Sequence, residues 1–175
     1  MIEMKVKGLT LDPLTNVPIV ILRELEGERA LPIWVGIFEA HAIAREIENF
    51  QTPRPMTHDL LESVIRGLHG SLEKIIVSDL KDRTFYAKIV LRSNGESVEI
   101  DSRPSDAIAL AVRARVPIFA DENVLSKAGV LLDRDGEPAE PSGPQPVDPA
   151  ELERMSAFKD FIESLDLDDF DKRKS

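Results

Sequence analysis

Cysteine is absent from the 175 residues, which removes disulfide frameworks, thiolate zinc sites and cysteine nucleophiles together. No stretch approaches the roughly 18 consecutive apolar residues of a membrane span. The opening Met1-Ile2-Glu3-Met4-Lys5-Val6-Lys7 alternates charged with apolar residues and so lacks the continuous apolar segment of a secretory leader. These absences point to a cytoplasmic protein without a membrane partner. Missing too are a P-loop, a dinucleotide-binding glycine pattern, a His-Glu-x-x-His zinc motif and a Gly-x-Ser-x-Gly elbow. Any chemistry must therefore come from less standard constellations.

What is present is a composition that folds. Hydrophobic residues make up 42% and charged residues 31%, enough for a core and incompatible with wholesale disorder. The length fits one domain with an appendage. The net charge of −10 repels nucleic-acid phosphates at long range, but it is unevenly placed. Residues 1–135 carry 17 basic and 21 acidic side chains, whereas residues 136–175 carry 5 and 11. The net charge is thus −4 over residues 1–135 and −6 over the much shorter tail.

Five of the 12 prolines fall between Pro138 and Pro149. Missing amide donors and fixed φ angles stop helix and sheet there, so residues 136–150 read as a linker. Beyond it, Leu152, Met155, Phe158, Ile162 and Leu165 recur at spacings of three and four, predicting an amphipathic helix in an acidic tail over 151–175. Such a tail suits docking to a protein partner or to a basic surface of its own domain, and its plainer reading is an inert solubilising extension.

Upstream, Ile2 to Gly8, Val17 to Arg23 and Arg29 to Val35 read as strands. From Gly36 the period changes, and Ile37, Ala40, Ile43, Ala44 and Ile47 share one helical face. Thr57 is placed to cap a second helix whose apolar stripe, Leu60, Leu61, Val64, Ile65 and Leu68, ends at Gly70. Strands follow at Leu72 to Ser78, Thr84 to Arg92 and Ser97 to Asp101, the last two joined by an Asn94-Gly95 hairpin turn. Ser105 or Asp106 can cap a third helix through Val112. A strand at Pro117 to Phe119 and a helix from Asp121 to Lys127 complete residues 1–135. Strands, then helices, then strands predict an α+β domain with a mixed, mainly antiparallel sheet packed with helices.

Two polar clusters approach helix starts, where free amides and the helix dipole favour anions. Arg54-Pro55-Met56-Thr57-His58-Asp59 supplies a guanidinium, an imidazole suited to proton transfer near neutral pH, and a carboxylate. Its plainer reading is capping with a surface ion pair. Asp101-Ser102-Arg103-Pro104-Ser105-Asp106 supplies an arginine fork for phosphate or carboxylate, a hydroxyl donor in Ser105 and a hard-cation ligand in Asp106. Here the plainer reading is an Arg103–Asp106 pair bracing the helix. Glu39 and His41 lie about 200° apart around the first helix and should not share an ion. His69 reads as a cation at a helix C-terminus or a neutral surface residue.

Three segments in order, Leu31-Pro32-Ile33-Trp34-Val35-Gly36 with Glu39-Ala40, Arg54-Pro55 with Thr57-His58-Asp59-Leu60-Leu61, and Asp101 with Arg103-Pro104-Ser105-Asp106-Ala107-Ile108-Ala109-Leu110, resemble the bifunctional nuclease domain family of bacteria and plants. The resemblance covers about residues 1–135. It implies a compact α+β domain, a homo-oligomer, and nuclease activity on DNA and RNA. On that reading, hydrolysis would use Mg²⁺ or Mn²⁺ held by Asp59 and Asp106. His58 would act as acid or base, Arg54 and Arg103 as phosphate clamps with Ser105, and Glu39 as a reserve carboxylate. The competing class is a non-enzymatic homo-oligomeric binding or regulatory module that recognises an anionic ligand or a protein partner, favoured by the acidic balance.

Overall fold

The computed structural model describes residues 1–131. The end of the domain expected at 135, the proline-rich linker over 136–150 and the acidic helical tail over 151–175 lie outside the described residues. Within them are eight strands and four helices: β1 (Ile2–Leu11), β2 (Pro18–Glu24), β3 (Arg29–Trp34), α1 (Ile37–Ile47), α2 (Thr57–Gly67), β4 (Gly70–Lys81), β5 (Thr84–Ser93), β6 (Glu96–Ser102), α3 (Pro104–Ala114), β7 (Ile118–Ala120), α4 (Glu122–Ala128) and β8 (Val130–Leu131). The strands form one sheet in the order β6-β5-β4-β7-β1-β2-β3-β8. All pairings are antiparallel except β4 with β7. The fold is α+β with a mixed, mainly antiparallel sheet, as the element order predicts.

Period-two alternation along the strands separates the two sheet faces. Val20 and Leu22 of β2, Ile75 and Val77 of β4, Ile89 and Leu91 of β5, and Ile118 of β7 enter one core cluster. Every helix packs there: Ala40 and Ile43 from α1, Ile65 from α2, Ala107 to Ala111 from α3, and Val124 with Leu125 from α4. Ile19, Ile21 and Ala30 point the other way, with Trp34 and Val130 against them. Asp12 closes the β1–β2 turn, accepting hydrogen bonds from the Leu14 and Thr15 amides and from the Trp34 indole.

Three local expectations are corrected. Thr57 is the first helical residue of α2, and Met56 is the cap position. The carboxylate of Asp59 reaches back to the Met56 amide at 2.7 Å, so capping comes from inside the helix. Neither Ser105 nor Asp106 caps α3. Pro104 opens it with a preset φ, as first-turn prolines do, which leaves Arg103 at the cap and buries Ser105 within the helix. The third correction concerns the α2 stripe. Leu60, Leu61, Val64 and Leu68 are exposed, Leu68 by 72%, and Ile65 alone of the five joins the core. The 3.6-residue period is real, but the helix lies on α3 and β4 with its polar side inward, burying His58.

Candidate functional site

The helix starts converge. Asp106 is third in α3 and His58 second in α2, and the His58 Nε2 lies 3.1 Å from the Asp106 Oδ1. The cap residue of α3, Arg103, donates from Nε to the Asp106 Oδ2 and from Nη2 to the Glu39 Oε1 of α1, both at 2.7 Å. Three helices thus meet through four side chains, bringing together segments 48 and 64 residues apart. The Glu39 carboxylate folds back over Gly36, the cap position of α1.

Burial opposes ionisation of Asp106, but the hydrogen bonds from Arg103 and His58 outweigh it and hold the carboxyl below its ordinary range. An ionised carboxylate can only accept. Across this contact the His58 Nε2 donates and the Asp106 Oδ1 accepts. Arg103 remains 66% exposed at its side chain. Neither carboxylate engages its Nη1.

Asp59 is third in α2, but it serves a different arginine from the one expected. Its Oδ1 accepts from the Arg113 Nε at 2.6 Å. Arg113 also donates to the Ala109 carbonyl of α3 and the Ala42 carbonyl of α1, fastening all three helices from a site only 4% exposed. For Asp59 too, burial raises the value, and Arg113 with the Met56 amide lowers it further to a net depression. Arg113 was missed because nothing in Val112-Arg113-Ala114 resembles a motif. The signal available was an arginine on the core-facing side of a helix.

The expected site residues therefore divide. His58, Asp106, Arg103 and Glu39 come together. Asp59 is a structural acceptor, and Ser105 is 7% exposed with no side-chain bond of its own among the described residues. Arg54 is exposed on the loop before α2, where its carbonyl accepts from Thr52. As arranged, the carboxylates do not form a divalent-cation cage: Asp59, Asp106 and Glu39 each face a guanidinium. No group of three or more His, Asp or Glu side chains among the described residues is gathered to hold an ion. Two surface cavities lie apart from this corner. One of about 350 Å³ sits between β1, β7 and the ends of α1 and α3; another of about 120 Å³ lies beneath α2.

Among the described residues no helix is long and apolar enough to cross a membrane. An uncharacterized protein of Mycobacterium tuberculosis (strain H37Rv) is 40% identical over 168 residues, covering 96% of this chain and 97% of its own length. Bifunctional nuclease 2 of Oryza sativa subsp. japonica is 29% identical over 126 residues, 70% of this chain and 38% of the rice protein. Bifunctional nuclease 1 of Arabidopsis thaliana is 25% identical over 129 residues, 71% of this chain and 40% of its own length. The chain thus spans well under half of these plant proteins. The model of the bifunctional nuclease domain matches residues 20–133, a span that holds every residue of the three-helix corner. The chain belongs to the bifunctional nuclease domain family.

Proposed function

We propose that the three-helix corner hydrolyses phosphodiester bonds in DNA or RNA. The observation that carries this reading is an imidazole oriented by Asp106 beside the solvent-facing Arg103. Hydrolysis needs a proton acceptor for the attacking water and positive charge for the non-bridging oxygens. In the tautomer protonated on Nε2, the His58 Nδ1 takes the proton of the water attacking phosphorus, and Asp106 steadies the imidazolium that forms. The imidazolium returns the proton to the leaving oxygen as its bond to phosphorus breaks. Arg103 meets the phosphate through its unengaged Nη1 and then exchanges a carboxylate partner for a phosphate oxygen, a swap its planar fork permits.

The test uses purified wild-type protein beside Arg103→Ala and His58→Ala, each checked for native circular dichroism. On single-stranded DNA and RNA, losing a charge-stabilising donor or the proton acceptor is expected to lower cleavage about 100-fold or more. Unchanged cleavage in both folded variants would assign the activity to a contaminant. Metal dependence enters the proposal through the same assay. Mg²⁺ or Mn²⁺ restores cleavage to EDTA-treated protein if the ion displaces Arg103 from Asp106 and Glu39, and changes nothing if the arginine alone carries the charge.

A second reading, a homo-oligomeric module, is favoured by the unpartnered stripe of Leu60, Leu61, Val64 and Leu68 on α2, because contiguous exposed apolar surface marks association sites. We propose that a second copy covers it. Leu61→Glu is then expected to halve the particle mass or more in light scattering, and an unchanged mass would remove this interface.

A further inference from the structure

The sheet face that carries no helix among the described residues bears a row of cations. Lys5 of β1 stands directly across from Arg23 of β2. The register carries this row further. Ile75 pairs with Ile118, and Ile118 with Met4, so Lys74 of β4 and Lys5 both flank Pro117 in one line across the sheet. At about 4.8 Å per strand, Lys74, Lys5 and Arg23 span about 15 Å. Lys7 is the unpaired residue of the β1 bulge, between Val6 and the Gly8 that pairs with Ile21.

These cations are not neutralised as those elsewhere on this face are. Lys88 bridges Glu99, and Arg92 bridges Glu73. Lys5, Lys7 and Arg23 have no side-chain hydrogen bond or ion pair among the described residues, and the Arg23 Nε is buried without an acceptor. Lys74 instead lies over the Phe119 ring, 5.7 Å from its centre. Like charges directly opposed on neighbouring strands destabilise a sheet, and an orphaned buried donor destabilises it again. An anion lying over the row offsets the repulsion between Lys5 and Arg23.

We infer that this row binds the phosphate backbone of a single nucleic-acid strand, on a surface separate from the three-helix corner. Sheet faces that pair cations with aromatic rings suit single strands, whose unstacked bases can lie on rings such as Phe119. The inference takes nucleic acid as the polyanion from the nuclease reading; the row itself stands on charge and register.

The experiment is fluorescence anisotropy of a labelled oligothymidylate with the full chain, the strand shown intact by gel, between about 50 and 200 mM salt. In Lys5→Gln/Arg23→Gln two phosphate contacts are lost, so affinity is expected to fall at least about 10-fold and the logarithmic salt slope to shrink by about 1.4. Lys5→Glu guards against a folding artefact, because it converts the repulsive pair into an attractive one. It is expected to raise Tm by about 2–4 °C while weakening binding. Unchanged affinity and slope in the double variant would overturn the inference, as would displacement of the strand by poly-glutamate at equal charge, which would mark an acidic protein segment as the occupant. Wild-type binding with this salt slope but no cleavage would sink the nuclease reading and leave the row standing. Cleavage unchanged in the double variant, with unchanged binding, would do the reverse.

Discussion

Asp59 and Asp106 occupy the same position, third in α2 and α3, and each holds an arginine through one oxygen at 2.6–2.7 Å. The arginines differ in what surrounds them. Arg113 is 4% exposed and spends its remaining donors on two backbone carbonyls; Arg103 is 66% exposed and shares itself between two carboxylates. A guanidinium that is buried and fully bonded is a fastening, since releasing it strands a charge in low dielectric. One that stays in water can change partners at little cost. Identical chemistry at identical helix positions thus yields a staple in one place and a binding group in the other, and depth below the surface decides which.

The sharpest way to break this contrast is to delete each arginine. Arg113→Ala is expected to cost about 3 kcal/mol, because Asp59 and the Ala42 and Ala109 carbonyls lose their donor together. Urea unfolding reads this as a lower midpoint at unchanged slope. A lysine at position 113 should recover less than half, since one ammonium lacks the fork that reaches three helices. Arg103→Ala is expected to change stability by less than about 1 kcal/mol while removing activity. Equal losses in the two variants would erase the distinction drawn here.

The smallest effect is on pH dependence. Both aspartates titrate below their ordinary range despite burial acting against ionisation: Arg113 outweighs that burial at Asp59, and Arg103 followed by His58 at Asp106. A depressed folded value contributes stability that is present above the unfolded value, near about 3.9, and is lost as pH falls through the folded one. Below pH of about 4, wild-type stability should therefore fall more steeply than that of Arg113→Ala. Parallel acid limbs would show that the Asp59 bond contributes nothing to folding.

Much of the architecture was legible because it is local. The runs Ile75-Ile76-Val77 and Ile89-Val90-Leu91, rich in β-branched residues, the Asn94-Gly95 turn with both residues at positive φ, and the 3.6-residue stripe of α1 each follow from the chain's own geometry. The β4–β5 turn escaped notice. Asp82 and Arg83 take φ of 47° and 64°, conformations without a glycine signal, imposed by the long ladder closing on either side. At the corner, the residue types were legible and their partners were not. Arg54 lies five residues from Asp59 in the chain, yet the arginine that reaches Asp59 comes from 54 residues away.

By itself, then, the sequence determined which segments become helix or strand, the α+β class, and the gathering of anion-binding residue types at two helix starts. These depend on periodicity and on chemistry within a few residues. Only the tertiary structure decided that α2 turns His58 inward and its leucines outward, that Arg113 is the staple, and that Lys74, Lys5 and Arg23 align. Each is a meeting of distant segments, set by how helices pack on a sheet and by strand register, for which the chain carries no local signal.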